Sequence, residues 1–203
     1  MFDAYNVGWN LQDRKRTAER LGQELVKLWH DHEFHAIGLS EIFEIEYKDE
    51  TIRNDVMMKR EYIRDVLLGM LNKASSRQWC ARLDAHHIYM YQESLNCVEH
   101  DYVSLGVANQ PWRKIQYFVF LPPGCDLPLH VYHCHCPSAG NNKARRFGTH
   151  ARKTVVATLC SHMQKQHTSQ QYRGVVQPDF PAVLLTGDYN LSEPMWKIGR
   201  AHV

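Results

Sequence analysis

Leu184-Leu185-Thr186-Gly187-Asp188-Tyr189-Asn190 is the stretch on which the fold turns. The apolar run Ala182-Val183-Leu184-Leu185 follows Pro181 and reads as a buried strand. It leads into Gly187, which frees the backbone to turn sharply, and then into two polar residues. Asp188 and Asn190 stand two positions apart, so an extended backbone points both to the same side. Taken alone, Gly-Asp-Tyr-Asn could be a plain turn, because Gly, Asp and Asn are the commonest turn formers. The site reading gains weight only from what stands elsewhere in the chain.

Moving towards the amino terminus, His130 to Cys136 is a β-prone run stopped by Pro137-Ser138-Ala139-Gly140, with His135 near its end. Asn141 or Asn142 can cap the helix that follows, in which Phe147, Ala151, Val155, Leu159 and Met163 recur every fourth residue. Ala36-Ile37-Gly38-Leu39 is a short buried strand ending at Ser40-Glu41, and Tyr5-Asn6-Val7 is a still shorter β-like start. Asn6, Glu41, His135 and the pair Asp188 and Asn190 therefore all fall at predicted strand ends. A rigid sheet can converge side chains from such positions on one pocket. Each also has a plainer structural role open to it: turn or cap for Asn, solvated surface group for Glu, hydrogen-bonded structural residue for His. Their shared setting is what favours a site.

The remaining segments supply a frame. Residues from about Gln12 to Glu33 carry Ala18, Leu21, Leu25 and Leu28 at helical spacing, and a second amphipathic helix runs from about Val56 to Leu71 with Val56, Ile63, Leu67 and Met70 on one face. β-prone runs follow at Trp79 to Leu83, His87 to Tyr91, Tyr102 to Leu105 and Ile115 to Leu121, the last ending at Pro122-Pro123-Gly124. The order helix, strand, helix, several strands, helix, strand predicts a sheet-based α/β core with helices outside. No internal repeat or second domain is visible.

Composition narrows the class. The 203 residues are 44% hydrophobic and 23% charged, enough for one domain with a sizeable core. No long apolar run suggests a transmembrane helix, and Met1 to Asn6 lacks the basic and apolar pattern of a signal peptide, so an intracellular setting is expected. In that setting the six scattered cysteines read as reduced thiols. A net charge of +2 is too small to argue for a nucleic-acid partner by itself.

Tyr5-Asn6-Val7-Gly8, Ile37-Gly38-Leu39-Ser40-Glu41-Ile42, His135-Cys136-Pro137-Ser138-Ala139-Gly140 and Leu184 to Asn190 occur in the order of the four motifs of a known superfamily. Together they resemble the metal-dependent endonuclease/exonuclease/phosphatase superfamily, and the resemblance spans Tyr5 to about Leu191. It implies a four-layer α/β sandwich, two β-sheets face to face with helices outside, over residues 1–196. It also implies that Glu41 binds a catalytic Mg²⁺ or Mn²⁺, with Asn6 beside it in the metal and phosphate shell. His135 would contact the scissile phosphate or its leaving oxygen, Asp188 would orient or activate the attacking water, and Asn190 would hold a phosphate oxygen. The loop Pro137 to Gly140 is similar to that of the abasic-site endonuclease branch, although His135 replaces that branch's Tyr. A nucleic-acid substrate is accordingly expected, with a phosphoinositide, sphingomyelin-type or other phosphoester as the alternative.

One departure qualifies this. The superfamily carries an Asp-His pair several strands beyond the Gly-Asp-aromatic-Asn motif, whereas thirteen residues follow Asn190 here and His202 is the lone histidine among them. The domain is thus expected to be incomplete at its carboxyl end, and this chain to be weakly active, inactive or a non-catalytic phosphate-binding remnant. Ile198-Gly199-Arg200-Ala201-His202-Val203 resembles a translated sequencing adapter, so residues 197–203 are read as a non-native tail.

Two other signals weigh less. His133-Cys134-His135-Cys136 suggests zinc, but in a strand the two His face one side and the two Cys the other. Lys143, Arg145, Arg146, Arg152 and Lys153 make the following helix basic, which suits a solvated face or a phosphate-facing one. Phe118 and Phe120 alternate as core residues do.

Overall fold

The computed structural model describes residues 11–40, 50–84, 87–104, 114–125, 127–135, 144–171 and 182–188. Within them the order is α1 (Leu11–His32), β1 (Ala36–Ser40), α2 (Glu50–Ser75), β2 (Trp79–Leu83), β3 (His87–Gln92), a short 3₁₀ turn (Glu93–Leu95), β4 (Cys97–Ser104), β5 (Lys114–Phe120), β6 (Leu129–His135), α3 (Ala144–Gln171) and β7 (Ala182–Asp188). Asn6, Glu41 and Asn190, and the stretch 197–203, lie outside the described residues.

Two sheets form, one ordered β1-β3-β2 and one ordered β4-β5-β6-β7. All pairings are antiparallel except β6 with β7, which α3 joins as a parallel crossover. Alternation decides which side chains go where. In β3, Ile88 and Met90 face α1 and α2, meeting Ala18, Leu25, Ile63, Leu67 and Leu71, while Tyr89 and Tyr91 face the other sheet. There they meet Phe118, Phe120 and Val131, with Tyr89 stacked on Phe118 at 4.5 Å between ring centroids. On the far side of the second sheet, Ile115, Tyr117, Val119, Tyr132 and Cys134 pack on Val155 and Leu159 of α3. The layers therefore run helices, sheet, sheet, helix: the four-layer α/β sandwich.

Local chemistry sets the element ends. α1 stops where Glu33 adopts the left-handed conformation (φ 45°) and donates its N–H to the Trp29 carbonyl at 2.7 Å. α2 is welded to β2 by Asn72 Oδ1, which accepts the Trp79 N–H at 2.8 Å, and by Ser75 Oγ, which accepts the Trp79 indole N–H at 2.9 Å. Where α1 crosses α2, Gly22 lies under the Met70 thioether, in space a β-carbon would fill.

Several boundaries differ from the sequence expectation. β4 begins at Cys97 rather than near Tyr102, because its first half is mostly solvent-facing and a register shift between Cys97 and Glu99 breaks the alternation. α2 and α3 run beyond their apolar stripes, α3 through the Gln-rich stretch to Gln171. Leu28 is 37% exposed rather than core, while its neighbour Trp29 packs against the α1–α2 cluster. Among the described residues β7 is a sheet edge, and Leu184 and Leu185 are each nearly half exposed. Cys80, Cys97, Cys125, Cys134 and Cys160 are free thiols. No helix among the described residues is long and apolar enough to cross a membrane.

A buried polar network lies under α3. Tyr117 Oη and His130 Nδ1 are 2.8 Å apart, and Tyr132 Oη and His162 Nδ1 are 3.1 Å apart. Burial, with a smaller contribution from His162, holds His130 below the ordinary imidazole value. Burial likewise lowers His162, and burial with Arg82 nearby lowers His100. As pH falls, the unfolded chain takes up protons at these positions near the ordinary value of about 6.5, before the folded chain does. Their contribution to stability is therefore intact above about pH 6.5 and is lost progressively below it. The urea midpoint is expected to drop between pH 7.5 and pH 5.5; a midpoint that holds or rises would show that these imidazoles are not buried neutral.

Candidate functional site

Two of the predicted site residues are brought together directly. In the parallel β6–β7 ladder His135 is the register partner of Asp188, the last pair in a run that starts at Leu129 and Ala182. The pairing follows from sequence. Val131 and Leu184, and Tyr132 and Leu185, are matched apolar pairs in the same ladder, and shifting the register by one would turn each strand's inward set outward. Asp188 is reached through Gly187, whose φ of 113° is a conformation L side chains rarely adopt. A β-carbon there would run into the Cys134 carbonyl of the neighbouring strand. The glycine of the motif thus answers a backbone requirement: β7 must pass this close to β6 for Asp188 to sit beside His135.

A third strand end approaches from the other sheet. β1 ends at Ser40, immediately before Glu41, and Ser40 is register partner to His87 at the start of β3. Ser40 Oγ lies 3.3 Å from His133 Nε2 on β6, and His133 Nδ1 lies 3.0 Å from Thr186 Oγ1 on β7. His133 is 1% exposed. Its ring meets His87 edge-on at 4.9 Å and Tyr89 at 5.3 Å, both from the β1-β3-β2 sheet. Room for it exists because residue 38 is glycine: a β-carbon on Gly38 would overlap the His133 ring.

His87 is itself oriented. Its Nδ1 is 3.0 Å from both carboxylate oxygens of Asp84, which also accepts the His87 backbone N–H at 2.8 Å. Beneath this lies Arg60, 5% exposed, whose Nη1 donates to the Asp84 carbonyl at 3.4 Å. Burial lowers the Arg60 pKa, opposed by the nearby Asp84 charge. Asp84, His87, Gln116, His133, Ser40 and Thr186 form a polar belt where the two sheets meet at the rim that carries His135 and Asp188. Sequence reasoning passed over His87 and weighed His133 only as a zinc ligand. The signal that could have found them is position: each stands two or fewer residues from a strand end, on the period that faces the other sheet.

The His-Cys-His-Cys run divides as alternation requires. His133 turns to the opposite sheet and Cys134 to the α3 core, so they do not share a ligand set. Among the described residues no group of three or more His, Cys, Asp or Glu side chains could hold a metal ion. The oxygen donors expected for a divalent cation are Glu41 and Asn6, which lie outside the described residues. Carboxylate and amide oxygens of this kind suit Mg²⁺ or Mn²⁺ rather than a softer ion. Lys153 on α3 is exposed.

No protein-family model and no curated protein matches this chain. Solved structures do match. An endonuclease/exonuclease/phosphatase family protein from Bacteroides thetaiotaomicron is similar over 91% of this chain and 60% of its own, at 14% identity and a TM-score of 0.56. A functionally unknown conserved protein from Enterococcus faecalis V583 is similar over 95% of this chain and 65% of its own, at 14% identity and a TM-score of 0.54. TDP2 from D. rerio, complexed with single strand DNA product, is similar over 95% and 60%, at 17% identity and a TM-score of 0.50. The chain spans less than two thirds of the length of each of these structures. At such identities the likeness establishes the fold: this chain has the α/β sandwich of the endonuclease/exonuclease/phosphatase proteins.

Proposed function

We propose that this chain carries residues of a phosphoester hydrolase site, dependent on Mg²⁺ or Mn²⁺ and acting as an endonuclease-like phosphodiesterase. The observation that carries the reading is the convergence of three strand ends. His135 is the register partner of Asp188, and Ser40, the residue before Glu41, is joined to the same two strands through His133. Five residues spread over the chain would then meet at one rim of the sandwich.

Phosphoester cleavage by water needs an acceptor for the water's proton and fixed donors for the charge that builds on the phosphate oxygens. Asp188 takes the first role, holding the water by its proton and aligning it with the phosphorus. His135, on the adjacent strand, donates to a non-bridging or leaving oxygen. Asn190 would hold a second phosphate oxygen, and Asn6 would join Glu41 in the metal and phosphate shell. Glu41 would hold the cation, which supplies charge stabilisation to the phosphate when bound.

A nucleic-acid substrate is favoured by the fold it shares with TDP2, whose D. rerio form was captured with single strand DNA product. The basic residues Lys143, Arg145, Arg146, Arg152 and Lys153, just beyond the His135 loop in sequence, are of the right sign for a polyphosphate backbone. A phosphoinositide or sphingomyelin-type phosphoester is the alternative substrate, and phosphate binding without turnover is the alternative to catalysis. Supercoiled plasmid and Mg²⁺ test the proposal, since a single cut relaxes the substrate and even slow cleavage is visible. Nicking that is abolished by EDTA supports it. Phosphate and Mn²⁺ binding without nicking would favour the non-catalytic reading.

A further inference from the structure

We propose that His133 is a positioning residue that sets the spacing between the carboxyl ends of β1 and β7, the strands that lead into Glu41 and Asp188; the inference rests on the function proposed above. β1 and β7 belong to different sheets, and their ladders hydrogen-bond each strand only within its own sheet. Across the gap at this rim stands one imidazole, with one nitrogen on Ser40 and the other on Thr186. In sequence Ser40 precedes Glu41 by one residue and Thr186 precedes Asp188 by two.

One polarity satisfies all of these bonds together. In it Thr186 Oγ1 donates to the Tyr132 carbonyl at 3.4 Å and accepts from His133 Nδ1–H. The other ring nitrogen, Nε2, is then the acceptor for the Ser40 hydroxyl proton. The chain Ser40 to His133 to Thr186 to Tyr132 carbonyl is consistent throughout with a neutral imidazole protonated at Nδ1. The ring is also fixed laterally. His87 and Tyr89 pack on it from one sheet, and Gly38 supplies the space in β1 that any side chain would fill. Neither a smaller polar residue nor an apolar one spans both hydroxyls in this geometry. Asn has the reach for the Thr186 bond alone.

Mn²⁺ binding, followed by the electron paramagnetic resonance of the bound ion, tests this without requiring turnover. Ser40→Ala, Thr186→Val and His133→Ala are each expected to weaken Mn²⁺ binding about tenfold, the effect of about 1.4 kcal/mol of lost preorganisation. His133→Asn, which keeps one bond of the two, should recover part of the His133→Ala loss. The Ser40→Ala/His133→Ala double variant should bind no more weakly than His133→Ala alone, because both changes remove one bridge. Nitrogen-15 spectra should show His133 as the Nδ1–H tautomer. Glu41→Gln separates the two levels of the argument. If it leaves Mn²⁺ binding unchanged, the functional reading fails. If it abolishes binding while Ser40→Ala and Thr186→Val, both mild changes, bind like the parent, the positioning role fails and the functional reading stands. Additive losses in the double variant also overturn the bridge.

Discussion

Asp188→Ala is expected to lower the rate of Mg²⁺-dependent plasmid nicking by about 10²- to 10⁴-fold, the usual cost of removing a general base. Water is a poor nucleophile at neutral pH, and the proton it loses on attack needs an acceptor held within hydrogen-bond reach. Among the polar residues at this rim, Asp188 is the carboxylate on the strand beside His135. Asp188→Asn sharpens the test, because it keeps the shape and the hydrogen-bonding capacity but cannot accept the proton. A loss as deep as that of Asp188→Ala identifies proton acceptance as the role, and a shallow one identifies orientation of the water. Since the carboxylate acts only as the reaction proceeds, the loss should appear in turnover at saturating plasmid rather than in affinity. Equal nicking by parent and Asp188→Ala would remove Asp188 from the mechanism.

Gly187→Ala is expected to cost about 3 kcal/mol or more of stability, among the largest effects of any single methyl addition in this chain. At a φ of 113° the backbone conformation alone costs a non-glycine residue about 1–3 kcal/mol. The added methyl also meets the Cys134 carbonyl of the paired strand, and backbone cannot move aside as a side-chain tip can. The β6–β7 ladder would have to part at the Cys134–Gly187 rung, one step from His135 and Asp188. Gly69 in α2 provides the contrast, since a β-carbon there meets nothing within 4 Å. Gly69→Ala should stabilise by about 0.5–1 kcal/mol, the ordinary gain in a helix interior. Urea or thermal unfolding of both variants checks the pair; a Gly187→Ala protein as stable as the parent would mean that β7 does not approach β6 as described.

Much of this architecture is legible along the chain. β-prone runs in β5 and β6 and fourfold spacing in α3 announce their elements, the strands burying both faces and the helix one. The start of β4 is not legible: it lies at a sheet edge, mostly in solvent, and a bulge interrupts its period. The motif glycine of Gly187-Asp188 is visible in sequence, but the reason for it is not. That reason is a carbonyl on a strand 53 positions away. His133 illustrates the same limit. In sequence it is one of thirteen histidines, and nothing near it foretells that Ser40 and Thr186 will stand on either side of its ring.

By itself the amino-acid sequence determined the elements, their order, and the polar residues at strand ends, since those depend on side-chain periodicity and local backbone preference. Only the tertiary structure decided that β6 and β7 run parallel with His135 abreast of Asp188, and that β1 meets them from the opposite sheet through one buried imidazole. Strand pairing and sheet packing are contacts between residues far apart along the chain. They are chosen by how whole apolar faces fit against one another, which no short stretch of sequence encodes.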